Sequence, residues 1–198
     1  MFISKHSVFP KSHICVRINV GVRFFRFEDM FAYDTADVVP TVGTNPDDEV
    51  FYQIDIKNDL VGVQPGCLAE YDVSRRFRCF ADGKFGMYGN HISHRSTVSN
   101  CNGVGVVGPG NPTTGALFDI NSKKDDFSFL AALELGADWH FNPCWSARVG
   151  YRVVAVTGVA HTVEQIPVSF ADVGGVADID SNGHLILHGF HASVEKHW

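Results

Sequence analysis

The sequence predicts an all-β chain, an antiparallel up-and-down β-barrel of the transmembrane type or an incomplete barrel sheet. Three observations predict it. Several segments alternate strictly between apolar and polar residues, as strands with one apolar face do. The cleanest, Ile14 to Glu28, covers about fifteen residues, whereas soluble strands average roughly five or six. Short turns and long connections also alternate along the chain, giving a meander with two unlike ends.

Each element follows from its residues. In the first strand Ile14, Val16, Ile18, Val20, Val22 and Phe24 share one face, and Arg17, Asn19, Gly21 and Arg23 share the other. Met30 to Asp48, carrying Pro40, Gly43, Asn45 and Pro46, reads as a long loop. Val50 to Ile56 is extended, and Lys57-Asn58-Asp59 is expected to bend or bulge it. Leu60 to Val73 then places Val61, Val63, Pro65, Cys67, Ala69, Tyr71 and Val73 outward, with Gly62, Gln64, Gly66, Glu70 and Asp72 inward. Pro65 removes a ladder donor and counts against an undisturbed central strand. After the turn Ser74-Arg75-Arg76, Phe77, Cys79, Ala81, Gly83, Phe85 and Met87 oppose Arg78, Phe80, Asp82, Lys84, Gly86 and Tyr88.

Periodicity is then lost, and Gly89 to Asp125 reads as the longest external loop. The strand Asp126 to Phe141 aligns Phe127, Phe129, Ala131, Leu133, Leu135, Ala137, Trp139 and Phe141 against Ser128, Leu130, Ala132, Glu134, Gly136, Asp138 and His140. Its aromatics gather at the two ends of the apolar face, as interfacial girdles would. Asn142-Pro143 turns the chain. Trp145, Ala147, Val149, Tyr151 and Val153 then run outward, against Ser146, Arg148, Gly150 and Arg152. A last long loop, Gly158 to Asn182, precedes a final strand that ends on Trp198. Six long strands result. Eight is the usual minimum for a closed bacterial barrel, so further strands are expected from an upstream segment, or from Val50–Ile56 and the 104–120 region.

Composition narrows the class. No run approaches eighteen apolar residues, so a helical span is excluded. Charged residues make up only 19%, and the chain has 16 Phe. The net charge of −6, with no basic patch, argues against nucleic acid as a partner. Met1–His13 is irregular and is no signal peptide, because Lys5, His6, Pro10, Lys11 and His13 interrupt any apolar run. The expected organisation is therefore an irregular segment 1–13 and a barrel domain 14–198, the C-terminal part of a longer or truncated gene product.

The candidate site is the inward ionisable set: Arg17, Arg23, Glu70, Asp72, Arg78, Asp82, Lys84, Glu134, Asp138, Arg148 and Arg152. These would line a water-filled passage or neutralise one another across a filled interior. With both signs in similar numbers, strong ion selectivity is not expected. His91 with His94, and His188 with His191, are read as solvated or interfacial and not as a metal site. Asp178 to Gly183 lacks the glutamate that would close a calcium loop. Five scattered cysteines carry no zinc spacing and are read as free, although Cys67 and Cys79 fall on one face of neighbouring strands. No nucleophile elbow, phosphate loop or HExxH is present. Neither a cofactor nor catalysis is expected.

Several stretches carry a family resemblance: Asn58 to Gly66, Lys84 to His91, Lys124-Asp125-Asp126 leading into Phe127–Trp139, Gly150-Tyr151-Arg152, and Ala177 to Gly183 through Trp198. In order and spacing they resemble the C-terminal part of a family of outer-membrane β-barrel proteins found mainly in planctomycete bacteria. The resemblance covers about Gly21 to the C-terminus. It implies an exported barrel of the bacterial outer membrane, with a structural or porin-like role. Its partners would be outer-membrane lipid and, through the strand ending at Trp198, the barrel-assembly machinery. The competing reading is a soluble all-β binding module, a sandwich or lipocalin-like barrel. In that case Val20, Phe85, Leu133 and Phe190 would meet in one dry interior.

Overall fold

The chain is described by a computed structural model covering residues 13–35, 50–100, 103–105, 117–142, 144–170 and 172–196. Six long strands form one antiparallel sheet: β1 (Ile14–Thr35), β2 (Val50–Asp72), β3 (Phe77–Asn100), β5 (Asp119–Asn142), β6 (Trp145–Val159) and β7 (Gly183–Lys196). A two-residue strand, β4 (Gly103–Val104), pairs only with β3. The order is β1-β2-β3-β5-β6-β7, each strand lying beside its predecessor, with β1 and β7 as edges. The sheet is not closed. It is the incomplete barrel sheet of the expected fold class. Among the described residues no helix is long and apolar enough to cross a membrane.

Both short turns lie at one end of the sheet, where Ser74 N donates to Phe77 O at 3.0 Å. At the other end, between β6 and β7, a 3-10 turn (Thr162–Gln165) and a one-turn helix, α1 (Val173–Ala177), fold back over one face. That covered face is called inner here.

The strands are longer than the alternation suggests, and three loop assignments are corrected. β1 continues to Thr35, into the segment read as a loop from Met30. Lys57-Asn58-Asp59 neither bends nor bulges β2, since Phe27, Asn58 and Ile92 lie in unbroken register. Much of the supposed loop Gly89–Asp125 is strand, up to Asn100 and again from Asp119. Val50–Ile56 is therefore the start of β2 and no separate strand. Pro65 does disturb its neighbourhood: the β2–β3 ladder skips Gln64 and Pro65, as a missing N–H requires.

The outer face changes character at one row. Phe24, Val61, Gly89 and Phe127 are paired side by side across β1, β2, β3 and β5. From this row to the turn end, the outward residues of these four strands are apolar or glycine and mostly exposed, whereas β6 and β7 also place Thr157, His184 and His188 outward. Val20, Phe85, Leu133 and Phe190 are 48%, 56%, 49% and 88% accessible and meet in no common interior. The next outward row toward the loop end is Arg26, Asp59, His91 and Asp125, again paired side by side. Beyond it come Glu28, Lys57, Ser93 and Lys123, then Met30, Asp55, Arg95 and Asn121.

Inside, the trend reverses. At the loop end Tyr52, Ile54, Ile56, Leu60, Ile92, Leu130, Val156 and Val159 form dry clusters beneath the covering segment. Asn58 pins that cover. Its Nδ2 donates to Ala160 O at 2.9 Å, and its Oδ1 accepts from Ala160 N at 2.9 Å and from Asn90 Nδ2 at 3.0 Å. Gly158, at φ 79°, turns β6 into the cover; a Cβ there would come within 2.5 Å of Phe127 O. Asp29 Oδ2 accepts from Thr162 N and Oγ1. Lys124 Nζ donates to Ile179 O and Ser181 Oγ.

Candidate functional site

The inner face toward the turn end has no covering segment, and here the ionisable set collects. Strand parity alone puts all eleven residues on it, because each sits in register with another inward position. Pairing is mostly across strands, where opposed side chains are closest. Arg78 Nε donates to Asp72 Oδ1 at 2.6 Å and Arg148 Nε to Asp138 Oδ1 at 2.8 Å, each directly opposite its partner. Arg152 Nε donates to the opposed Glu134 Oε2 at 2.7 Å. Glu70 lies between Arg17, which donates to it, and Arg78 at 3.7 Å. Lys84 Nζ donates to Asp82 Oδ2 along the same strand at 2.5 Å.

Burial explains the pairing. Glu70, Glu134 and Asp138 are 6%, 8% and 9% accessible, and a carboxylate that far from water requires a cation and hydrogen bonds. His191, also inward on β7, adds a contact to Glu134 Oε1 at 3.2 Å. Of the eleven residues, ten have an opposite charge beside them. Arg23 has none among the described residues; its guanidinium lies 5.9 Å from the Phe25 ring.

Tyr88, fully buried, belongs to the second of the dry clusters. Its ring crosses Gly62 and Gly86: a Cβ at Gly62 would meet Tyr88 Cδ1 at 2.7 Å, and one at Gly86 would meet Cε2 at 2.8 Å. The aromatic thus covers backbone that these glycines leave bare. Its hydroxyl, like Gln64 Nε2, has no hydrogen-bond partner. The sequence reading missed both groups, because parity assigns a face but cannot say which donors find acceptors.

The histidines divide between the two faces, and His94, buried within a strand, departs from the solvated or interfacial reading. His91 points outward and contacts Asp125 at 2.6 Å, whereas His94 is buried inward against Ser122 Oγ at 3.0 Å. Burial pushes the His94 imidazole below its usual range. Arg95 and Asp119 share two 2.8 Å bonds outside, which hold that carboxyl below its usual range. His188 bonds the Tyr151 hydroxyl at 2.6 Å, on the face opposite His191. In the 178–183 stretch, Asp178 and Asp180 accept bonds from nearby backbone and Asn182.

Among the described residues no group of three or more His, Cys, Asp or Glu is placed to hold a metal ion. Cys15, Cys67, Cys79 and Cys144 are free thiols. Cys67 is opposite Gly83 and Cys79 opposite Tyr71, four positions apart, so a shared face does not bring them together. Cys101 and Trp198, the terminal residue given to the assembly machinery, lie outside the described residues.

No curated protein and no solved structure matches the chain. A family model does: Putative beta barrel porin-7 (BBP7), over residues 2–172. That span takes in β1 to β6, the row of polarity change and all eleven inner ionisable residues. It is a porin-type family and not a catalytic one, in keeping with a β-structured chain that has no helical span. The chain belongs to the Putative beta barrel porin-7 (BBP7) family.

Proposed function

We propose that these strands are part of the wall of a bacterial outer-membrane β-barrel with a structural or passive-transport role. The outer band would face lipid, and the eleven ionisable residues would face the lumen. One observation carries this: on β1, β2, β3 and β5 the outer face turns from apolar to polar along a single register row. A packed soluble core has no reason to change polarity at one height on four neighbouring strands. A bilayer surface does. From Phe127 to Trp139 the apolar face of β5 spans twelve residue steps, roughly 40 Å at about 3.3 Å each. A tilt of ~45° projects this to about 28 Å, close to the hydrocarbon thickness. Phe24 and Phe127 lie at one border, Tyr71, Phe77, Trp139 and Trp145 at the other, where interfacial aromatics belong.

The edges β1 and β7 would be paired with additional strands, since unsatisfied backbone in hydrocarbon costs several kcal/mol per group. Residues 14–198 would then form one part of the barrel, preceded by an irregular stretch. The final strand, β7, would be the one read by the barrel-assembly machinery. A soluble all-β binding module is the second reading. It is favoured by the open sheet and by the dry clusters beneath the 160–182 cover, which are packed as a soluble core is.

Membrane fractionation with a heat-modifiability gel tests the choice. A barrel stays with the outer membrane and migrates faster before boiling. A freely soluble product whose migration ignores boiling would establish the binding module instead.

A further inference from the structure

We propose that Arg23, Gln64 and Tyr88 form a binding site for a small oxyanion, a carboxylate or phosphate group, on the inner face. Charge pairing singles out Arg23. The other five cations of the set, Arg17, Arg78, Lys84, Arg148 and Arg152, each have a carboxylate partner, and Arg23 has none among the described residues.

Two buried donors lie next to it. Tyr88 is 0% and Gln64 8% accessible, and the Tyr88 hydroxyl and Gln64 Nε2 have no partner. Such groups are costly to leave unsatisfied. Arg23, Gly62 and Tyr88 occupy one register row across β1, β2 and β3. Gly62 has no side chain to separate the other two. Gln64 is two residues along β2 on the same face, opposite Gly21. A Cβ at Gly21 would touch nothing within 4 Å, so the row is open there.

Arg23, Gln64 and Tyr88 thus lie within two register positions of one another on one face, beside the open position at Gly21, and two of them carry a buried donor that no described group accepts from. The nearest inward carboxylate toward the turn end, Asp82, is neutralised by Lys84, and Lys84 lies one row closer to the site. Toward the loop end, Asp29 is bonded to Thr162. An oxyanion suits this arrangement: guanidinium provides charge and a planar pair of N–H groups, while amide and hydroxyl complete its acceptors. As a station on a solute path the site rests on the barrel reading. As a binding site it does not.

Equilibrium dialysis of the full chain in detergent, against radiolabelled inorganic phosphate in one arm and acetate in the other, tests it. Saturable uptake is expected, the better-bound anion identifying the headgroup class. Arg23→Gln should weaken it about ten-fold or more, and Tyr88→Phe or Gln64→Met about three- to ten-fold, in line with lost charged and neutral hydrogen bonds. Arg95→Gln, on the outer face, should change nothing, and Arg23→Lys should retain most binding if Arg23→Gln does not fold. No saturable uptake, or wild-type uptake by folded Tyr88→Phe and Gln64→Met variants or by Arg23→Gln, overturns the site. Intact binding in a chain that never enters vesicles would overturn only the transport reading.

Discussion

Two regions of one sheet, built from the same strands, obey opposite rules. Toward the turn end, apolar side chains point out and charged ones in; toward the loop end, Arg26, Lys57, Asp59, Arg95 and Asp119 point out and Ile54, Ile56, Ile92 and Leu130 point in. Strand geometry does not change between them, because the register runs unbroken through the boundary on β1 with β2 and on β3 with β5. The surroundings change instead. On the proposed reading the first region meets a medium without water outside, and the second has water outside and a dry covered interior. A single sheet can therefore hold two hydrophobic assignments, and on β1, β2, β3 and β5 the switch occurs at the same height.

The comparison breaks most visibly with charge on the outer face. Leu133→Arg places a cation at the middle of the β5 band and should cost about 2–4 kcal/mol in lipid. Gln53→Arg, outward near the loop end, should stay within about 0.5 kcal/mol. Denaturant titration in vesicles measures both, and equal costs would abolish the distinction between regions. Next comes the cover. Asn58→Ala leaves Ala160 and Asn90 without their partners and should cost roughly 2–3 kcal/mol. Hydrogen exchange should accelerate over 160–182 and remain slow in β5 between Leu130 and Asp138. Gly158→Ala should cost a further step less, about 1–2 kcal/mol for the left-handed backbone, with the same exchange signature.

The smallest effect is acid sensitivity from His94. Its folded pKa lies below its unfolded value, so the unfolded chain binds more protons between the two. Stability is full above the ordinary imidazole range and declines as pH falls through it toward the folded pKa. His94→Gln should flatten that decline when the cover's melting is followed against pH. A persistent slope would assign it to another group.

What the sequence made legible follows the same division. Ile14–Phe24 and Phe127–Trp139 could be read because one face is apolar without interruption and the other is polar or small. His91 to Val98 could not: its apolar residues, Ile92 and Val98, are inward where the preceding ones were outward, so a continuing strand looks like a loss of period. Lys57-Asn58-Asp59 looks like a turn because three polar residues usually make one, yet Asn58 is inside a strand with its amide committed to Ala160, 102 residues away. The charged set was legible as a face from parity. The unpartnered state of Arg23 was not, since it depends on which carboxylates the register brings to Arg17, Arg78, Arg148 and Arg152.

The straight border through Phe24, Val61, Gly89 and Phe127 also bears on how such a sheet reaches the correct alignment. A slip of one residue between neighbours would exchange their faces outright. A slip of two keeps the faces and is the harder error to reject, yet it would drag Arg26, Asp59, His91 or Asp125 a step into the greasy zone, or lift an aromatic out of it. Each of these four strands thus carries its own depth mark, and in the proposed membrane setting misaligned neighbours are penalised by their surroundings before any inner-face contact forms. Assembly fidelity is written on the outside of the wall, independently of whatever the inside is shaped to hold.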